Sequence, residues 1–256
     1  MGMNIHILAD ERYRVIRGLL AADGQVLATE LVTRFGVSED TVRRDLRALA
    51  RAGDCRRVYG GAVAAADHGP VRQRVTLAPE TKARLAGVAV SLLRAGNLVY
   101  IDAGSTNIAI AQAIPPGLAL TVATNALGVA AVLADNPDIA LIVLGGSFDA
   151  RTGACLGGET LRAIDRLRAD LVFLGACALD ASAGVTVFGA DDAEAKRAMV
   201  ANSRAVAVAA AASKLQTAAP YYVAPASAIT HLITETAAPD EAVAAMAAAG
   251  CTVQRA

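Results

Sequence analysis

From about residue 85 onward the chain repeats one pattern: a short apolar run, a turn of glycine and small polar residues, then a helical stretch. The apolar runs are Asn97–Asp102, Ala119–Thr124, Ile139–Leu144, Asp170–Leu174 and Ala205–Ala209. The first two lead into helical stretches reaching about Ile114 and Ala134, and another stretch, about Asp191 to Ser203, precedes the last run. Continuous apolar strands alternating with helices predict a mostly parallel sheet covered on both faces. Ligands of such sheets sit beyond the carboxyl ends of the strands. The glycines and small polar residues of this chain cluster there.

The first 61 residues have a different character. They hold ten arginines, no lysine and little β-branched alternation. Apolar spacing predicts three helices, at about Asp10–Ala22, Ala28–Phe35 and Glu39–Ala52, stopped by Gly24, Gly36 and Gly53. Ser38 suits the N-cap of the third, and Glu39 and Asp40 suit the positive end of its dipole. Val42, Leu46 and Leu49 form its inward stripe. Cys55 to Gly61 reads as a short hairpin, or wing. Residues 62–75 read as a linker from their alanines and turn-formers, which places the second domain at 76–256.

Several function classes drop out on composition. The apolar fraction of 55% excludes a disordered chain, and no apolar run approaches the ~18–20 residues of a membrane span. The first ten residues lack the apolar core of a secretion signal, so a soluble cytoplasmic protein is expected. Cys55, Cys155, Cys177 and Cys251 lie far apart without a paired spacing, and the three histidines are scattered. Neither a disulfide framework nor a metal site is expected, and no cofactor. No glycine-rich nucleotide fingerprint occurs.

Net charge is zero, yet residues 41–57 carry six arginines against Asp45 and Asp54. Two helices, a glycine turn and an arginine-bearing third helix match helix-turn-helix geometry, with the third helix entering the major groove. The expected DNA-contacting residues are Ser38, Thr41, Arg43, Arg44, Arg47, Arg56, Arg57 and Tyr59. Arginine serves both phosphate attraction and bidentate reading of guanine. Each arginine alone is an ordinary solvated surface residue; the set points to operator DNA.

The run Gly36-Val37-Ser38-Glu39-Asp40-Thr41-Val42-Arg43-Arg44-Asp45-Leu46, followed by Arg57-Val58-Tyr59-Gly60-Gly61-Ala62, resembles the DeoR family of bacterial transcriptional regulators. The resemblance continues through nearly the whole chain. It implies a winged helix-turn-helix domain followed by an α/β sensor domain like ribose-5-phosphate isomerase. It also implies a repressor of carbohydrate-metabolism genes, controlled by a phosphorylated sugar. Tyr59 stands where the pattern has His.

In the second domain, Asp102-Ala103-Gly104-Ser105-Thr106 joins a strand to a helix, a recipe for holding a phosphate on free backbone N–H groups and hydroxyls. The expected effector-binding set is Asp102, Gly104, Ser105, Thr106, Thr124, Asn125, Gly145, Gly146, Asp180, Gly184, Lys196 and Lys214. Taken singly, a strand-end glycine is usually a turn and an asparagine a helix cap. The resemblance adds that Lys82 opens the domain's first helix, serving packing or an interface rather than the ligand. It also implies an Asp shortly before Ser213-Lys214 and a Gly before Leu179-Asp180, where this chain has Ala210 and Ala178. A regulator with a decayed sensor, binding DNA only, is the alternative these departures keep open. A sugar-phosphate isomerase using Asp102, Asp180, Glu194 and Lys196 is the rival from another class. Half-site reading by winged helices makes a homo-oligomer, at least a dimer, the expectation.

Overall fold

The computed structural model describes residues 8–23, 25–51, 54–64 and 70–256. The expected helix stops at Gly24 and Gly53 and the turn at His68-Gly69 lie outside the described residues. The chain divides into two compact units, Met1–Gly69 and Pro70–Ala256.

The first unit contains α1 (Ala9–Asp23), β1 (Gln25–Leu27), α2 (Ala28–Phe35), α3 (Glu39–Arg51), β2 (Cys55–Val58) and β3 (Gly61–Ala64). Gly36 ends α2 in the left-handed region at φ 62°, its N–H bonded to Val32 O at 2.9 Å. A residue without Cβ takes that conformation at little cost. The three strands form an antiparallel sheet in the order β1-β3-β2. Strand β1 was not legible in the sequence, because three residues carry no period. Ile16, Leu31, Phe35, Val42, Leu46 and Leu49 pack into one core, each full burial contributing roughly 1.5–3 kcal/mol.

A second constraint locks α3 to α1. Asp45, on the inward face of α3 and 3% exposed, accepts a two-pronged grip from Arg12 of α1, Nε to Oδ2 at 2.6 Å and Nη2 to Oδ1 at 3.1 Å. The carboxylate holds the Arg12 guanidinium above its ordinary value through that hydrogen bond. Asp54 is gripped likewise by Arg17 of α1, at 2.7 and 2.9 Å.

The second unit begins with α4 (Val71–Val75) and α5 (Pro79–Ala89). Then come β4 (Leu98–Ile101), α6 (Ser105–Gln112), β5 (Leu120–Thr124), α7 (Leu127–Leu133) and β6 (Ile139–Val143). A hairpin, β7 (Ser147–Asp149) and β8 (Ala154–Leu156), leads to α8 (Gly158–Asp165) and β9 (Ala169–Phe173). Next are β10 (Ala178–Asp180), β11 (Gly184–Val187), α9 (Ala190–Ala201), β12 (Ser203–Ala210) and β13 (Tyr221–Ala224). The unit closes with β14 (His231–Thr234), α10 (Asp240–Ala248) and β15 (Thr252–Arg255). Seven strands form a wholly parallel sheet in the order β15-β14-β12-β9-β4-β5-β6.

The topology decides where a ligand goes. From β4 the chain runs outward through β5 to β6, then returns to the other side of β4 as β9. The connections on either side of β4 therefore part at its carboxyl end, which opens a crevice between β4 and β9. Segment 62–75, expected as a linker, starts inside β3 and ends inside α4. Cross-strand pairing claims its first residues, and Val71 is tied to the second unit by its N–H to Arg151 O at 3.0 Å.

Gly61 tests the packing of the wing. A Cβ there would stand 2.0 Å from Val26 O and 3.0 Å from its carbonyl carbon. Gly61→Ala is expected to cost about 1–3 kcal/mol. In a calorimetric scan it should lower the melting transition of the first unit and leave that of the second in place. An unshifted first transition refutes the close approach.

Candidate functional site

Helix α3 turns a charged face outward. Val42, Asp45, Leu46 and Leu49 are buried, while Arg43, Arg44, Arg47 and Arg51 are exposed. Arg43 bonds Glu39 one turn earlier at 2.6 Å. Among the described residues, Arg44, Arg47 and Arg57 form no ion pair within the chain. Ser38 caps the helix as its type predicts: Thr41 N–H reaches Ser38 Oγ at 3.3 Å, and the two hydroxyls lie 3.0 Å apart. Arg57 is exposed on β2, and Tyr59 at the wing turn is 88% exposed. Arg43, Arg47, Arg57 and Tyr59 rim one open recess between α3 and the wing, about 820 Å³ in volume. Of the eight residues expected at DNA, only the Arg56 side chain lies outside the described residues. Asp45 and Asp54 read from sequence as charges opposing the arginines; both are spent on Arg12 and Arg17 of α1.

In the second unit a cavity of about 470 Å³, counting the space it shares with solvent, lies beyond β4, β9 and β12. Gly104, Ser105, Thr106 and Asn107 line it from the start of α6, Gly175 to Cys177 from the end of β9, and Ala209 and Lys214 from the end of β12. No side chain caps the start of α6. Its first-turn N–H groups therefore present their partial positive charge near the cavity.

Beneath the cavity lies a buried charge cluster. Lys196, 2% exposed, meets Asp102 Oδ2 in a short ion pair and Asp192 Oδ1 at 3.2 Å. Asp102, fully buried, also accepts Ala103 N–H at 2.7 Å and Gly175 N–H at 2.8 Å. Asn107 Nδ2 donates to Asp102 O and Phe173 O, both at 2.9 Å. Burial works against the Lys196 charge, but the two carboxylates outweigh it and hold the ammonium above its ordinary 10.5. Burial pushes the Asp192 carboxyl above its ordinary 3.8, and Asp102 adds to the rise against the pull of Lys196. Burial and the neighbouring Asp102 thus disfavour the ionised form of Asp192, which Lys196 and Arg151 only partly offset.

Family models match both units: "DeoR-like helix-turn-helix domain" over residues 12–67 and "DeoR C terminal sensor domain" over residues 77–236. The uncharacterized HTH-type transcriptional regulator YgbI of Escherichia coli K12 is 32% identical across 92% of this chain and 93% of its own. The chain belongs to the DeoR family. It is a DNA-binding transcriptional regulator with a winged helix-turn-helix unit and a parallel α/β sensor unit. The glycerol-3-phosphate regulon repressor of the same organism is 33% identical over 77% of this chain and 79% of its own. Among solved structures, ribose 5-phosphate isomerase A from Methanocaldococcus jannaschii matches at TM-score 0.37 and 16% identity over 51% of each chain.

Not every residue expected at the DeoR effector site reaches the cavity. Gly104, Ser105, Thr106, Lys196 and Lys214 line it, and Asp102 holds its floor. Thr124 is fully buried, donating to Ile101 O at 2.5 Å and accepting Ala126 N–H at 3.1 Å, which clamps β5 to β4. Asn125 donates to Cys155 O at 3.0 Å. Gly145 and Gly146 do lie at a close approach, but to their own chain: Thr160 Oγ1 donates to Gly145 O at 2.6 Å, and a Cβ on Gly146 would stand 2.6 Å from Leu156 O. Asp180 accepts Ser182 N–H at 2.8 Å, Ser182 Oγ–H at 2.6 Å and Ala183 N–H at 2.9 Å, closing the β10–β11 turn. Burial opposes its charge, but those hydrogen bonds win and hold its carboxyl below 3.8. Gly184, at φ 72°, belongs to the same hairpin, where a Cβ would stand 2.2 Å from Ala224 O. Lys82 donates to the carbonyls of Arg74 in α4 and Leu77 just after it.

Sequence reasoning did not single out Arg74, Thr152, Cys177 or Asp192, all of which line the cavity. The departures from the family pattern are quiet in the fold. Ala178 starts β10 without a positive φ, and Ala210 is 1% exposed in β12, paired with Thr234.

The sign of the Asp192 shift gives a test. A carboxyl raised on folding stabilises while protonated, and that contribution is lost as pH climbs through its raised value. Asp192→Asn removes the ionisation. The melting temperature of the sensor unit in Asp192→Asn, relative to the parent protein, should rise progressively above pH 3.8, by roughly 2–4 °C per kcal/mol for a unit of this size. A pH-independent difference between the two melting curves refutes the raised Asp192 carboxyl.

Proposed function

We propose that this DeoR-family regulator is a repressor of carbohydrate-metabolism genes, released from its operator by a small phosphorylated sugar or related metabolite. The observation that carries the reading is the cavity at the ends of β4, β9 and β12. It combines the uncapped start of α6, the hydroxyls of Ser105 and Thr106, and the Lys214 ammonium. Backbone amides, hydroxyls and a cation form a recognition set for a phosphate oxyanion. The relative named a glycerol-3-phosphate regulon repressor supports the same class of effector.

On the DNA side, Ser38 at the N-cap of α3 and Thr41, Arg44 and Arg47 within it meet base edges and phosphates in the major groove. Arg57 and Tyr59 of the wing, with Arg56, meet the neighbouring backbone. Arg43 exchanges its bond to Glu39 for a phosphate, since an exposed i,i+4 pair is worth only about 0.3–0.5 kcal/mol. The protein acts as a homo-oligomer that reads paired half-sites. Effector binding favours one arrangement of the copies over another, which requires different affinities for the two.

Regulation rather than turnover is supported by the rival's own residues. Asp180 is engaged in its hairpin turn, exposed Glu194 pairs with Arg197 at 2.7 Å, and Asp102 is held in the buried ion cluster, so only Lys196 of the four candidate isomerase groups lines the cavity.

Two measurements test the reading. Arg44→Ala should weaken operator binding by about 1–3 kcal/mol and relax preference at one base position. Arg47→Ala should weaken binding to all duplexes alike and lower the salt slope by about 1. A gel shift with operator selected from random sequence, titrated with triose, pentose and hexose phosphates, should show release by at least one of them. Binding indifferent to the whole panel refutes the effector half of the proposal.

A further inference from the structure

Helix α4 is the first element of the sensor unit after the boundary at Gly69 and Pro70. It is short, and none of its residues is fully buried. Yet Arg74, from α4, lines the same cavity as Ser105, Thr106 and Lys214. Resting on the reading of that cavity as the effector site, we infer that Arg74 is an effector-contacting residue, and that its engagement clamps α4 onto the sensor.

Charge balance makes the need for a second cation specific. The floor holds two carboxylates, Asp102 and Asp192, against one ammonium, Lys196. An arriving phosphate dianion therefore meets carboxylates at the floor as well as an ammonium. Lys214 and Arg74 each add a cation to the lining, and a half-buried anion needs such compensation. A guanidinium is also suited to the planar, two-pronged grip on phosphate.

The attachments of α4 point the same way. Val71 N–H bonds Arg151 O at 3.0 Å in the turn of the β7–β8 hairpin. The same turn supplies Thr152 to the cavity wall. Val71 packs on Gly153 so closely that a Cβ there would stand 2.4 Å from its Cγ1, and Gly153 has φ 75°. Helix α4 also packs against α6, whose first turn lines the cavity. Arg74 and Thr152 thus stand on two elements joined by one hydrogen bond, on one rim of the site. An anion that draws Arg74 and Thr152 inward tightens that joint. Occupancy is so registered on the helix through which the chain leaves the sensor toward the DNA-binding unit.

The test uses the full chain. Binding is measured by calorimetry for inorganic phosphate, glycerol 3-phosphate, ribose 5-phosphate and fructose 6-phosphate. Amide exchange of residues 70–77 is followed at saturation with the tightest of them. Arg74→Gln should weaken binding about 10- to 100-fold, the loss of a charge-assisted bond, with part recovered in Arg74→Lys. Arg72→Gln, which removes an exposed cation from the same helix, should stay within about twofold. Exchange of 70–77 should slow on ligand addition in the parent protein. Equal affinities in Arg74→Gln and Arg72→Gln, or unchanged exchange of α4 at saturation, overturn this inference and leave the cavity reading standing. Failure of all four compounds to bind the parent protein overturns the cavity reading, and this inference with it.

Discussion

Asp102 directly follows β4 of the sensor sheet, and its hydrogen bonds hold three elements at one point. Its side chain takes the N–H of Gly175 at the end of β9 and the ammonium of Lys196 on α9, while its carbonyl takes the amide of Asn107 on α6. A carboxylate this deeply buried is tolerated only because every interaction is charge-assisted or comes from a fixed backbone donor. The crevice that topology opens between β4 and β9 is thereby kept at a set width. Gly175 adds to the constraint, since a Cβ there would stand 2.3 Å from Ala103 O. The cavity is therefore a product of the ion cluster under it as much as of the loops around it.

The DNA-binding unit solves a related problem in the opposite sense. A chain of zero net charge has to present a positive surface to a polyanion. It does so by turning Asp45 inward and engaging Asp54, each with an arginine of α1. These two acids are thus neutralised by residues on another helix, while Glu39 pairs with Arg43 on α3 itself. The same grip orients α3 against α1, so stability and surface charge are set by one pair of interactions.

The sequence was most legible where structure is local. The spans of α2 and α3, the left-handed stop at Gly36 and the cap at Ser38 follow from propensity and apolar spacing. The five apolar runs became strands β4, β5, β6, β9 and β12 for the same reason. What stayed hidden depends on distance along the chain. Asp45 reads as a surface charge until Arg12, thirty-three residues away, is beside it. Three-residue strands such as β7, β8 and β10 are too short to carry a period. Strand-end glycines look alike in sequence, yet Gly104 borders the cavity while Gly146 and Gly184 make room for their own neighbours. Arg74 and Asp192 sit in stretches whose composition marks nothing, and only the fold brings them to the site.

Among the described residues the two hydrophobic cores share no residue: one gathers Ile16 to Ala62, the other Leu85 to Cys251. Each closes on its own apolar set, so the packing of each unit is written into its own stretch of chain.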